Sequence, residues 1–214
     1  MSEQLIKSIL ENKIIAIVRG ANVKQAVKSA KAVYQGGIRF IEVTFNQKSP
    51  DTFQDTVNAI KQIKIHCPNM HVGAGTVLNV EQVELANSAG AEYIISPDTD
   101  KDVIERTKKL GLISIPGAYT ASEAKKANNY GADFVKLFPC TDPQYLKALK
   151  APLSHINFLA VGGVNVQNAC DFIKAGAEGV GIGSSLINKK LLDAEEYDKI
   201  TKTASELVEK LKNA

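Results

Sequence analysis

Lys136 sits in the segment ADFVKLFP, which is otherwise apolar. A lysine in such a run is costly to bury unless it is used. At the period of a β-strand, Phe134, Lys136 and Phe138 share one face, and Val135 and Leu137 share the other. If Val135 and Leu137 pack against helices, Lys136 points into a sheet or barrel interior. A free lysine is neutral in only about one molecule in a few thousand at pH 7. Desolvation raises that fraction and turns the amine into a nucleophile able to form a Schiff base with a carbonyl carbon. The plainer alternative is an ammonium that snorkels to the strand end or sits in a structural ion pair. Glu42 lies in IRFIEVTF, on one face with Phe40 and Thr44. Facing Lys136, it serves either as a structural counter-ion or as a general base with a tuned pKa.

Two glycine-rich stretches add an anion site. Gly162-Gly163 and Gly181-Ile182-Gly183-Ser184 let backbone N–H groups approach a phosphate closely, and Ser184-Ser185 are expected to open a short helix aimed at it. Ordinary turn glycines are the competing reading. No dinucleotide fingerprint or Walker pattern is present. Histidine and metal chemistry are poorly supplied: His66, Cys67 and His71 fit no ligand spacing, and His155 falls in a loop-like stretch. Neither a metal nor a cofactor is expected.

The elements that must position these residues alternate along the chain. Short β-branched runs appear at 14–18, 40–43, 71–73, 93–95, 113–115, 133–137, 157–160 and 179–182. Each is too short for a helix and is bounded by Gly, Pro, Asn or Asp. Between them, 23–34, 52–63, 80–89, 101–110, 121–129, 143–150, 166–175 and 194–211 carry apolar residues at helical spacing. Asn79 reads as an N-cap, and Thr120 with Glu123 as a capping box. Helix stops fall at Gly36-Gly37, Gly90, Gly111, Gly131 and Gly176. The echo GGIRFIEV, AGAEYIIS, YGADFVKL and AGAEGVGI recurs at a period of roughly 20–25 residues. Eight strands alternating with eight helices predict a parallel sheet with right-handed crossovers, closed as a single α/β (β/α)8 TIM barrel over 1–214. An extra N-terminal helix over 2–10 is placed to plug the barrel's N-terminal mouth. In such barrels the chemistry sits at the C-terminal strand ends, which is where Lys136 and the glycine loops fall.

Composition sets the outer bounds. The 214 residues carry a formal net charge of +3 with 44% hydrophobic residues, within the range of globular chains. No Lys/Arg block suggests nucleic acid, and no apolar run approaches the roughly 20 residues of a membrane span. The polar, amphipathic N-terminus does not resemble a signal peptide. With three cysteines, an odd number, the expectation is reduced thiols in the cytoplasm.

The segments IIAIVRG, GGIRFIEVTF, VGAGTVLN, ISPDTD, IPGAYTASE, DFVKLFP, AVGGVN and GIGSSL together cover most of the chain. In them the sequence resembles the 2-keto-3-deoxy-6-phosphogluconate (KDPG) / 4-hydroxy-2-oxoglutarate (KHG) aldolase family, with VGAGTVLN and KLFP the most specific matches. The resemblance implies a (β/α)8 barrel assembled as a homotrimer. It also implies metal-independent, class I cleavage of a small keto-acid phosphate to pyruvate and an aldehyde. Carried over, Lys136 looks like the Schiff-base lysine and Glu42 like the general acid/base. Thr76, Arg19, Asn46, Pro97 and Phe138 surround the substrate carboxylate and hydroxyls, while Gly162, Gly163, Gly183 and Ser184 take the phosphate.

The sequence departs from the best-known members twice. Their arginine four residues after the glutamate is Asn46 here, which cannot form a bidentate charged clamp; Arg19 is the available replacement. Their hydroxyl residue before the glycine pair is Val161. Both features resemble the 2-keto-3-deoxy-6-phosphogalactonate (KDPGal) branch, which differs at C4. KDPG is the first expectation, with cleavage of 4-hydroxy-2-oxoglutarate to pyruvate and glyoxylate as a further activity and KDPGal as the alternative substrate. Outside this chemistry stand a phosphate-binding barrel isomerase or epimerase, and a sugar-phosphate binding protein without turnover.

Overall fold

Short strands buried on both faces require helices on one side and a filled interior on the other, and the chain meets both demands. A computed structural model describes residues 2–212. The strands are β1 (Ile14–Val18), β2 (Phe40–Thr44), β3 (His71–Gly75), β4 (Tyr93–Ile95), β5 (Ile113–Ile115), β6 (Gly117–Ala118), β7 (Val135–Leu137), β8 (Phe158–Val161) and β9 (Gly179–Ile182). All pairings are parallel, in the order β5-β4-β3-β2-β1-β9-β8-β7-β6. The expected eight strands become nine because Pro116 has no N–H to continue a ladder. It divides the fifth strand into β5, which pairs with β4, and β6, which pairs with β7. The seam is closed by Phe134 N–H to Ser114 O (3.3 Å), Lys136 N–H to Pro116 O (2.8 Å) and Phe138 N–H to Ala118 O (3.0 Å). The result is a (β/α)8-type barrel.

The helices are α1 (Ser2–Asn12), α2 (Val23–Gln35), α3 (Phe53–His66), α4 (Val80–Ser88), α5 (Lys101–Lys109), α6 (Ala121–Asn129), α7 (Pro143–Lys150), α8 (Ala169–Lys174), α9 (Lys189–Asp193) and α10 (Tyr197–Lys212). Asn79 and Thr120 cap α4 and α6 as the sequence indicates, the latter in a full capping box with Glu123. Asn22 and Gln25 form a second box on α2. Three expectations shift. The helix expected from Val166 begins at Ala169, because Asn165 and Asn168 use their side chains on the backbone N–H groups of 165, 167 and 168. The helix expected over 194–211 begins at Tyr197, after Glu195 at φ +52, and a short helix not anticipated from the sequence, α9, precedes it. Ser184-Ser185 form one hydrogen-bonded turn, closed by Leu186 and Ile187 N–H to Gly183 O, rather than a helix start.

Alternation along each strand divides the core in two. Ile15, Phe40, Tyr93, Ile95, Ile113, Ile115, Phe134 and Leu159 fill the barrel, while Ala16, Ile41, Val43, Val72, Ile94, Val135, Leu137 and Ala160 pack against the helices. Ile9 of α1 is buried in the interior cluster, with Leu5, Ile6 and Leu10 packed on it, so α1 plugs the N-terminal mouth. The sequence echo has a physical role at this same pole. Its acids Glu92, Asp133 and Glu178 each take a lysine from an earlier helix and a group at the start of a neighbouring strand. Glu92 binds Lys64 (2.8 Å) and His71 (2.6 Å). Asp133 binds Lys108 (2.7 Å) and the Ser114 N–H (2.8 Å). Glu178 binds Lys150 and the Phe158 N–H.

Candidate active site

Period two on β7 sends Lys136 inward, and its register beside Gly117 of β6 and Leu159 of β8 sets its height near the C-terminal end of the barrel. Only 5% of the residue is exposed. Glu42 reaches the same space from β2, paired with Ile17 and Gly73, and is 1% exposed. Its carboxylate occupies the volume over Gly75 of β3, where even a Cβ would overlap its Oε1. A glycine is therefore required at 75 for reasons of space.

Electrostatics follow from burial. Desolvation lowers the Lys136 pKa against the opposing pull of Glu42, and the nearby Arg19 cation adds to the lowering. Desolvation raises the Glu42 pKa, with Lys136 and Arg19 resisting. Each group is pushed towards its neutral form, as nucleophilic and general-base roles require. The Phe138 ring lies 4.7 Å from the Lys136 Nζ and favours the ammonium, so it opposes the desolvation effect.

The two residues open into a cavity of about 670 Å3. Arg19, Thr76, Pro97, Phe138, Gly162, Gly163, Gly183 and Ser184 also line it. Arg19 Nη2 donates to Thr76 Oγ1 at 3.0 Å, which places the cation and the hydroxyl side by side above Glu42 and Lys136. Gly162 and Gly163 have φ of +102° and +76°, a conformation side chains resist. Asn168 Nδ2 donates to Gly163 O at 3.0 Å, and Ser185 Oγ to Val164 O at 2.7 Å, fixing the two loops. One anticipated residue is absent from the lining. Asn46 is exposed, and its Oδ1 accepts the Lys48 N–H at 3.2 Å, because the chain turns there after β2.

Ile17, Val164 and Asn165 line the cavity without having been singled out, and Ser185 lines it from the turn after Gly183. Alternation from Ile15 identifies Ile17 as inward-facing. Ser185 and Asn165 adjoin the glycine loops, but nothing local marks which of their atoms face the cavity.

Known proteins share this arrangement's sequence and fold. The family model for KDPG and KHG aldolase matches residues 5–203. The 2-dehydro-3-deoxy-6-phosphogalactonate aldolase of Escherichia coli K12 is 39% identical over 176 residues, 81% of this chain and 83% of the relative. The KHG/KDPG aldolase of the same strain is 34% identical over 199 residues, 92% of this chain and 91% of the relative. A solved native KDPGal structure superposes with a TM-score of 0.83 at 34% identity, covering 94% of both chains. The KDPG aldolase of Zymomonas mobilis ZM4, solved with 3-phosphoglycerate, gives 0.82 at 26% identity, covering 95% of this chain and 94% of its own. Sequence and fold thus agree along nearly the whole length, and the chain belongs to the KDPG and KHG aldolase family of carbon–carbon lyases.

Proposed function

We propose that the protein is a class I aldolase that cleaves 2-keto-3-deoxy-6-phosphogluconate to pyruvate and glyceraldehyde 3-phosphate, using Lys136 as nucleophile and Glu42 as acid/base. The observation that carries this reading is a desolvated lysine and a desolvated carboxylate opening into one cavity. Neutral Lys136 attacks C2 of the keto acid, and loss of water gives the iminium. Glu42, acting through water, takes the C4 hydroxyl proton. The C3–C4 bond breaks, its electron pair enters the iminium as an enamine, and the aldehyde leaves. Glu42 returns the proton to C3, and hydrolysis frees pyruvate and the amine. Arg19 and Thr76 are assigned the carboxylate, with Pro97 and Phe138 as apolar walls. Gly162, Gly163, Gly183 and Ser184 are assigned the phosphate. The 3-phosphoglycerate in the Zymomonas mobilis relative, a three-carbon phosphorylated acid, supports a phosphate seat. On this reading 4-hydroxy-2-oxoglutarate is a second substrate, and the family resemblance adds a homotrimer acting in the cytoplasm.

The C4 epimer, 2-keto-3-deoxy-6-phosphogalactonate, is the second reading. Val161 in the cavity wall and the 39% identity to a phosphogalactonate aldolase favour it. Trapping with pyruvate and borohydride, followed by peptide mapping, tests the lysine. The expected product is one pyruvate less water plus two hydrogens on Lys136, absent from Lys136→Ala. No adduct on folded protein overturns the Schiff-base chemistry in favour of a phosphate-binding isomerase. Steady-state cleavage of the two C4 epimers then assigns the substrate.

A further inference from the structure

Thr76 holds a backbone conformation that β-branched residues avoid, with φ at +56°. A ring of hydrogen bonds around its turn keeps it there. The Leu78 N–H donates to Gln82 Oε1 (2.7 Å), Gln82 Nε2 donates to Gln47 Oε1 (2.9 Å), and Gln47 Nε2 donates to Thr76 O (2.6 Å). Both ends of this chain land on the same three-residue turn, two residues apart. The sense of the ring is fixed, because turning either amide over sets N–H against N–H or oxygen against oxygen. Gln82 is fully buried, and its own N–H is held by Asn79 Oδ1 at 2.9 Å. The clamp therefore joins the β2–α3 loop to the first turn of α4 and grips the residue whose hydroxyl receives Arg19.

We infer that Gln47 and Gln82 are positioning residues that hold Thr76 in its left-handed conformation and thereby set the seat of the keto-acid carboxylate. This rests on the assignment of Thr76 and Arg19 to the carboxylate. Neither glutamine lines the cavity, so neither touches substrate. Their effect falls on substrate affinity and passes through Thr76. Lys136 and Glu42 are borne by other strands and keep their places when the clamp is cut.

The test is borohydride trapping as a function of pyruvate concentration, on the full chain. Gln47→Met keeps the side-chain length and removes the amide. Its half-saturating pyruvate concentration is expected to rise about fivefold to tenfold, the scale of one lost hydrogen bond. The trapping rate at saturating pyruvate should stay within about twofold of the unaltered protein. Gln82→Glu still accepts from Leu78 but sets an oxygen against Gln47 Oε1, and is expected to shift half-saturation the same way. In a Thr76→Ala background, Gln47→Met should add no further shift. Unchanged half-saturation in both glutamine variants overturns the clamp alone, as does a fall in the saturating rate without a shift. A full further shift in the Thr76→Ala background shows that Gln47 does not act through Thr76. Absence of any adduct in the unaltered protein is a separate failure, of the lysine chemistry, and it removes the clamp's role with it.

Discussion

Burial displaces the pKa of Lys136 downward and that of Glu42 upward, and the pH behaviour follows in sign. A lowered Lys136 pKa means the amine becomes neutral at lower pH than a free lysine. Trapping at saturating pyruvate is therefore expected to rise with pH and reach half its maximum below 10.5, as a pH–rate profile will show. The same shifts carry a stability cost. The raised Glu42 pKa makes stability fall as pH rises from 4.5 through the folded value, since the folded state holds the proton longer. The lowered Lys136 pKa makes stability recover as pH rises from the folded value towards 10.5. Replacing both charges, Lys136→Met with Glu42→Gln, is expected to be neutral or stabilising by up to about 4 kcal/mol in urea unfolding, with turnover abolished. The inward face of both residues was legible from period two, since Phe134 and Phe40 share it. Their meeting in one cavity was an inference from residue type that spacing alone could not supply.

At the scale of elements, the strands do more than carry side chains. Gly75 of β3 leaves the volume that the Glu42 carboxylate fills, and Gly73 leaves room for the Tyr93 ring, whose hydroxyl donates to Ile41 O at 2.7 Å. Gly75→Ala is expected to displace Glu42 and lower turnover about a hundredfold, the cost of misplacing a reacting group by an ångström. Lys136 is untouched, so pyruvate trapping should survive, and comparing the two assays on one preparation checks the claim. Helix caps at Asn79 and Thr120 could be read locally because the capping bond spans three residues. The late start of α8 and the turn at Ser184 could not, because the Asn165 and Asn168 side chains take the N–H groups of residues 165, 167 and 168 while Gly183 O takes those of Leu186 and Ile187, and those bonds depend on how the loops are closed.

The whole molecule is polarised along the barrel axis. The candidate site opens at the C-terminal pole; α1 and the acids Glu92, Asp133 and Glu178 staple the other, the usual division in this architecture. Ile9 is 1% exposed inside the plug. Ile9→Ala is expected to cost about 2–5 kcal/mol of stability by leaving a cavity. Half-saturation by pyruvate should not change, which unfolding and trapping measured on one preparation will separate. The repeated Gly-Ala-acid stretches, visible as an internal echo, belong to this stapling and not to the reaction.

The sequence by itself determined the alternation of strands and helices, which strand faces look inward, and the end of most strands to within two residues, because all three rest on periods and stop signals a few residues long. It thereby located Lys136, Glu42 and the glycine loops at one pole. Only the tertiary structure decided how the loops between them close: Asn46 turned outward, Arg19 brought to Thr76 from 57 residues away, and Gln47 joined to Gln82 around the turn at Thr76. Those bonds link segments whose separation along the chain follows no period. Their geometry exists only once the barrel has closed and set each strand end beside its neighbours.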